Sequence, residues 1–161
     1  MPYPEWLPEL IELNSFQGNW DGYLDHLYNV YIKDFIKSKP TYNGTLLAVK
    51  RHPQENGKDA TFWHIISEGE IENERIPDLR RCERISWPKP IIDNHNECAL
   101  KIWKNKRKGE TRVLLWCEEA EYLIVLSERN GYTLFWTAYP VIQEHSKRKL
   151  QKEFESYNGG I

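Results

Sequence analysis

The chain has 161 residues, 40% of them hydrophobic and 29% charged, with seven Trp and nine Tyr; 22 basic against 24 acidic side chains leave a net charge of -2. That much apolar and aromatic material excludes an intrinsically disordered chain, and the length fits one domain, residues 1–161, rather than two. The slightly acidic total excludes bulk attraction to nucleic acid, so any polyanion site has to be built locally.

Residues 1–20, with Pro2, Pro4 and Pro8 among apolar side chains, read as an N-terminal arm packed on the body through Trp6 and Leu7. The stretch lacks the basic region and apolar core of an export signal. Asp21 is placed to cap a helix over residues 22–37. There Leu24, Leu27, Tyr28, Tyr31 and Phe35 recur at the spacing of one buried stripe, with His26 and Lys33 facing water. Thr45–Arg51 and Ala60–Ser67 are β-branched or aromatic and flank the turn-rich HPQENGKD, which predicts an early hairpin. In ERIPDLRRCERISWPKPII, Pro77 suits the first turn of a short helix, Leu79, Cys82 and Ile85 follow three apart, and Pro88 stops it.

From Ala99 onward, turn signals at Lys108-Gly109, Glu119-Ala120 and Asn130-Gly131 separate four strands of an antiparallel meander. A last helix with Lys147, Leu150 and Phe154 on one face caps the sheet, and the tail 158–161 frays. The class is α+β: an antiparallel sheet, made of the early hairpin plus the four-strand meander, packed with helices. A two-residue Asn130-Gly131 turn sets Arg129 opposite Tyr132 and makes pairs of Glu128/Thr133, Leu126/Phe135, Ile124/Thr137 and Tyr122/Tyr139. Thr137 and Tyr139 then open toward a cleft near Tyr122, while Leu123, Val125, Leu134, Trp136 and Ala138, with Ser127, face the core.

Cys82, Cys98 and Cys117 are odd in number and lack a CxxC or His-paired pattern, which supports neither a disulfide framework nor a zinc site and fits a reducing cytoplasm. No apolar run approaches the ~18 residues of a membrane span. No metal and no other cofactor is expected.

Three blocks, FWHIISEG, RIPDLRRCERISWPKPII and YLIVLSERNGYTLFWTAYPV, occur in an order that resembles the phage P1-related protein family. That family is similar to the phage-associated branch of the barnase–EndoU–colicin–RelE nuclease superfamily. The likeness spans residues 60–145 and leaves the first sixty outside it. It implies a small RelE/barnase/EndoU-like α+β domain that cleaves RNA without a metal, as a toxin or phage effector, with RNA and an inhibitor or antitoxin protein as partners.

Such cleavage needs a base for the ribose 2′-OH, an acid for the leaving oxygen and cations for the extra charge on phosphorus. His64, read here as mid-strand, can serve as acid and base. Arg80 and Arg84, four apart on the short helix, can fork onto phosphate oxygens, with Arg75 and Arg81 beside them. Thr137 offers a hydroxyl, and Tyr139 a phenol or a ring for stacking. Tyr122 and Glu128 flank these, and Glu68 is a second spare carboxylate. The hairpin tip KNKRKGETR, residues 104–112, could track an RNA backbone or simply be solvated. Each candidate also has a plain structural role open to it: a satisfied sheet His, a solvated Arg face, ordinary strand Thr and Tyr. A noncatalytic module of the same fold, recognising a protein or a nucleic acid, is therefore the rival reading.

Overall fold

A computed structural model describes residues 3–69, 71 and 74–159. The N-terminal arm carries one 3-10 turn, Leu13–Phe16. It is stitched to the body by Leu7, which is buried, and by the Trp87 indole, which donates to the Pro8 carbonyl at 2.8 Å. Trp6, expected to pack with Leu7, is exposed. Helix α1, Trp20–Tyr31, is capped by Asn19, whose side chain accepts from the Gly22 amide at 3.2 Å. Asp21, the expected cap, instead sits in the first turn, where its charge suits the helix dipole. A π-helical segment, Ile32–Lys37, prolongs the helix, so the expected span and buried stripe hold, with Leu24, Leu27, Tyr31 and Phe35 buried and His26 and Lys33 exposed.

The expected hairpin of Thr45–Arg51 with Ala60–Ser67 is not formed. Strand β1, Thr41–Tyr42, pairs with β2, Thr45–Leu46, around Asn43 and Gly44, both at positive φ. Ala60–Ile66 is helix α2. Its buried Phe62, Ile65 and Ile66 sit at helical spacing, which aromatic and β-branched composition had masked. His64 therefore lies on a helix, not mid-strand. Asp59, ahead of α2, is fully buried, and its carboxylate accepts from the Tyr31 hydroxyl (2.9 Å), the Tyr28 hydroxyl (3.2 Å), Arg51 Nε (2.8 Å) and Gln54 Nε2 (2.8 Å). This network ties α1 to the start of α2.

Two short strands, β3 (Ser67–Glu68) and β4 (Ile76–Pro77), pair next, so Pro77 is extended rather than helical. Helix α3 begins at Leu79 and ends at Glu83, and Pro88 opens helix α4, Pro88–Asp93, instead of closing its predecessor.

The meander is formed as expected: β5 (Lys101–Arg107), β6 (Glu110–Cys117), β7 (Tyr122–Arg129) and β8 (Tyr132–Pro140) pair in that order, all antiparallel. Helix α5, Glu144–Gly159, reaches into the tail expected to fray, of which residues 160 and 161 lie outside the described residues. The chain is thus α+β with antiparallel sheets of two, two and four strands.

Register follows expectation from Arg129↔Tyr132 to Leu126↔Phe135 and then slips: Val125 pairs with Thr137, Ile124 with Ala138, Leu123 with Tyr139 and Tyr122 with Pro140. The irregularity leaves Trp136 as an extra residue in β8. It also corrects the expected core face. Tyr122, Ile124, Leu126, Phe135 and Ala138 pack into the main core with α1, α2 and α4, while Leu123, Val125, Trp103, Leu114 and Trp116 form a second cluster with Leu150 and Phe154 of α5. Both faces are apolar, so alternation could not choose between them. Along the outer edge of β8, Ala48 exchanges backbone bonds of 2.9 Å with Thr133 and Phe135, after which α2 takes over the edge. Among the described residues no helix is long and apolar enough to cross a membrane.

Candidate functional site

The edge of β8, on the side of the sheet that faces α5, gathers most of the expected site. Thr137 pairs with Val125 and Tyr139 with Leu123, so the two share a face as expected although the register differs by one. Thr137 is buried, and its hydroxyl donates to the His64 main-chain carbonyl at 3.2 Å, which pins the last turn of α2 against β8. The His64 imidazole then lies against the Trp136 indole, ring centroids 4.8 Å apart.

The same indole carries two guanidinium groups: Arg112 lies 4.5 Å and Arg129 5.8 Å from its centroid. Between them sits Glu110, which accepts from Arg112 Nη2 at 3.2 Å and pairs with Arg129 at 3.3 Å. Ser127, fully buried, accepts from Arg129 Nε at 3.0 Å. The irregular step at Trp136 brings this about, because an extra residue re-aims side chains at a strand edge. One imidazole and two guanidiniums rest on a single indole, so a group able to move a proton and groups able to neutralise an anion touch the same ring.

Beside this cluster, α3, the end of β8 and the start of α5 enclose a cleft of about 540 Å³. Arg80, Arg81, Tyr139 and Glu68 line it, joined by Arg107 from the end of β5 and Lys149 from α5. The Arg81 guanidinium lies 4.8 Å from the Tyr139 ring centroid and donates to the Ser67 carbonyl. Burial pushes the Tyr139 phenol above its ordinary value against the pull of Arg81 and Arg107, so it remains a neutral donor. Burial lowers Arg81, with Asp78 acting in the opposite sense.

Four expected site residues belong elsewhere. Arg84 does not share a free face with Arg80: it is buried, donates to the Tyr3 hydroxyl (2.9 Å) and the Arg80 carbonyl (3.0 Å), and packs on the rings of Tyr3 and Trp87. The helix ends at Glu83, so a four-residue helical spacing cannot carry over to Arg84. Arg75 spans the carbonyls of Gly69 (2.7 Å), His64 (3.1 Å) and Ser67, and so braces the chain after α2. Tyr122 lies on the opposite face, buried in the main core edge-on to Trp87, and burial raises its phenol. Glu128 sits near the Asn130-Gly131 turn and pairs with Lys104 at 2.8 Å.

Sequence reasoning weighed Arg107 and Arg112 only as part of the basic tip 104–112 and gave no site role to Arg129, Trp136 or Lys149. Strand alternation from Trp103 puts Arg107 on the α5 side, the cross-strand partner of Asn105 puts Arg112 there, and Ser146, Lys149, Leu150 and Glu153 share one helical face. Among the described residues no group of three His, Cys, Asp or Glu is arranged to hold a metal ion. Set against protein-family models, curated proteins and solved structures, the chain has no significant match.

Proposed function

We propose that the protein is a metal-independent endoribonuclease of the barnase–EndoU–RelE-like kind, acting in the cytoplasm as a toxin or phage effector. The observation that carries this reading is the shared Trp136 indole, against which the His64 imidazole and the Arg112 guanidinium both rest. In this reading His64 removes the proton from a ribose 2′-OH, and the 2′ oxygen bonds to phosphorus as the bond from phosphorus to the 5′ oxygen breaks. The imidazolium returns the proton to that 5′ oxygen, leaving a 2′,3′-cyclic phosphate. Arg112 and Arg129 stabilise the added negative charge on the phosphoryl oxygens. Arg80, Arg81 and Tyr139 of the adjoining cleft hold the rest of the substrate, and an inhibitor protein would have to cover this same face.

One observation favours a second reading, a noncatalytic module that binds an RNA or protein partner: both guanidiniums already share the Glu110 carboxylate, which substrate phosphate would have to displace. Incubation of the purified protein with total RNA in EDTA, beside folded His64→Ala and Arg112→Ala variants, separates the two. Cleavage that survives chelation, leaves cyclic phosphate ends and is lost in both variants supports the nuclease. RNA left intact by folded wild type supports the binding module.

A further inference from the structure

We propose that the cleft between α3, β8 and α5 is a subsite for one unpaired nucleotide of single-stranded RNA, adjoining the cluster at Trp136; the proposal rests on RNA being the substrate. Its volume of about 540 Å³ falls inside the roughly 300–1,000 Å³ of small-ligand pockets. Its cations come from three separate elements, Arg80 and Arg81 on α3, Arg107 on β5 and Lys149 on α5. Arg80, Arg107 and Lys149 form no ion pair among the described residues, so their charge is available to a phosphate. The lining sets four cations against the three carboxylates of Glu68, Asp78 and Glu153, a margin of one positive charge in a chain whose total is -2.

The cleft also has the chemistry for a base. The Arg81 plane packed on the Tyr139 ring offers a flat surface of the kind on which unstacked bases lie, and the neutral phenol is a fixed donor. Glu68 and Glu153 supply acceptors for exocyclic amino groups on the same walls. A duplex keeps its bases paired and stacked and has no free base face to offer this cleft. Thr137 lies between Trp136 and Tyr139 in sequence, so the cleft and the imidazole cluster are neighbours along one strand, within the span of adjoining nucleotides.

The test is fluorescence anisotropy with a labelled twelve-nucleotide 2′-O-methyl RNA, which lacks the attacking hydroxyl, and with the same strand annealed to its complement. Wild type is expected to bind the single strand at least about tenfold more tightly than the duplex, because phosphate and stacking contacts add. The Arg107→Glu/Lys149→Glu double variant, changed at two exposed positions, is expected to lose at least about tenfold, and Tyr139→Leu a further portion. Equal affinity of wild type and the charge-reversal variant, equal affinity for duplex, or no binding by wild type would each overturn the proposal. Failure of cleavage with retained cleft-dependent binding would overturn the nuclease reading and leave the subsite standing; cleavage with binding indifferent to the cleft would do the reverse.

Discussion

The Thr137 hydroxyl donates to the His64 carbonyl across 73 positions of sequence, and with Arg75, which donates to the same carbonyl, it ties the last turn of α2 to the edge of β8. Replacing Thr137 with Val keeps the shape and leaves the carbonyl without this donor. Thr137→Val is expected to cost about 1 kcal/mol of stability. It should also lower RNA cleavage by more than its stability loss explains, because the imidazole is carried on the same turn. Urea unfolding and cleavage rates measured on the same preparation check this; an unchanged rate would separate α2 placement from the chemistry.

Two arginines that look alike in the sequence are expected to behave in opposite ways. Arg112→Ala removes a guanidinium from the Trp136 cluster and is expected to lower kcat/KM for RNA by about 10²-fold or more, beyond what its lost packing and Glu110 pair cost in stability. Arg84→Ala takes away a buried side chain that donates to Tyr3 and packs on Trp87. It is expected to cost about 2 kcal/mol of stability while cleavage per folded molecule stays at the wild-type level. Calorimetry beside single-turnover kinetics distinguishes the two.

Asp59 gives a pH dependence whose sign is fixed. Burial alone would raise its carboxyl, but hydrogen bonds from Arg51, Gln54 and Tyr31 hold it below the ordinary carboxylate range. The folded state therefore binds fewer protons here than the unfolded chain in acid. The stabilisation is fully present above the unfolded value of about 3.9 and is lost as pH falls through the lower folded value. Asp59→Asn is expected to cost about 3 kcal/mol at pH 7, and its deficit relative to wild type should shrink as the solution is acidified. Urea denaturation at neutral pH and near pH 3 measures both; a constant deficit would remove Asp59 from the acid response.

The three thiols should differ in reactivity. Cys82 and Cys117 are buried, and burial pushes the Cys82 thiol up to about 12, whereas Cys98 is only half-buried. With iodoacetamide at pH 8, Cys98 is expected to be alkylated first and Cys82 last, all three reacting together in denaturant. Mass mapping of the modified peptides reads the order.

The four-strand meander was legible because each turn carries its own local chemistry and each strand is long. The early region was not. Between Ala60 and Ile66, aromatic and branched residues suit a strand by composition and a helix by spacing, and tertiary packing of Phe62, Ile65 and Ile66 decided it. His64, Thr137 and Tyr139 could be named as chemistry-bearing residues, and the structure brings them to one strand edge. Arg112 was legible only as part of a basic hairpin tip and Arg129 only as the flank of a turn, because an ideal register gives no sign of the extra residue at Trp136 or of side chains gathered from different strands. Arg84 misled for the opposite reason: the helix that would have aligned it with Arg80 ends one residue earlier.

With Ala48 and α2 covering β8, the opposite margin of the four-stranded sheet is β5, which carries Lys101 and Arg107 toward α5 and Lys104 and Lys106 on the other face. At that margin Lys101 and Lys104 pair with Glu118 and Glu128, while Lys106 and Arg107 form no ion pair among the described residues and remain as charge at the end of the strand. Charged side chains on an edge strand disfavour its pairing with a second copy, which helps a strand-rich, tryptophan-rich chain to resist edge-to-edge stacking.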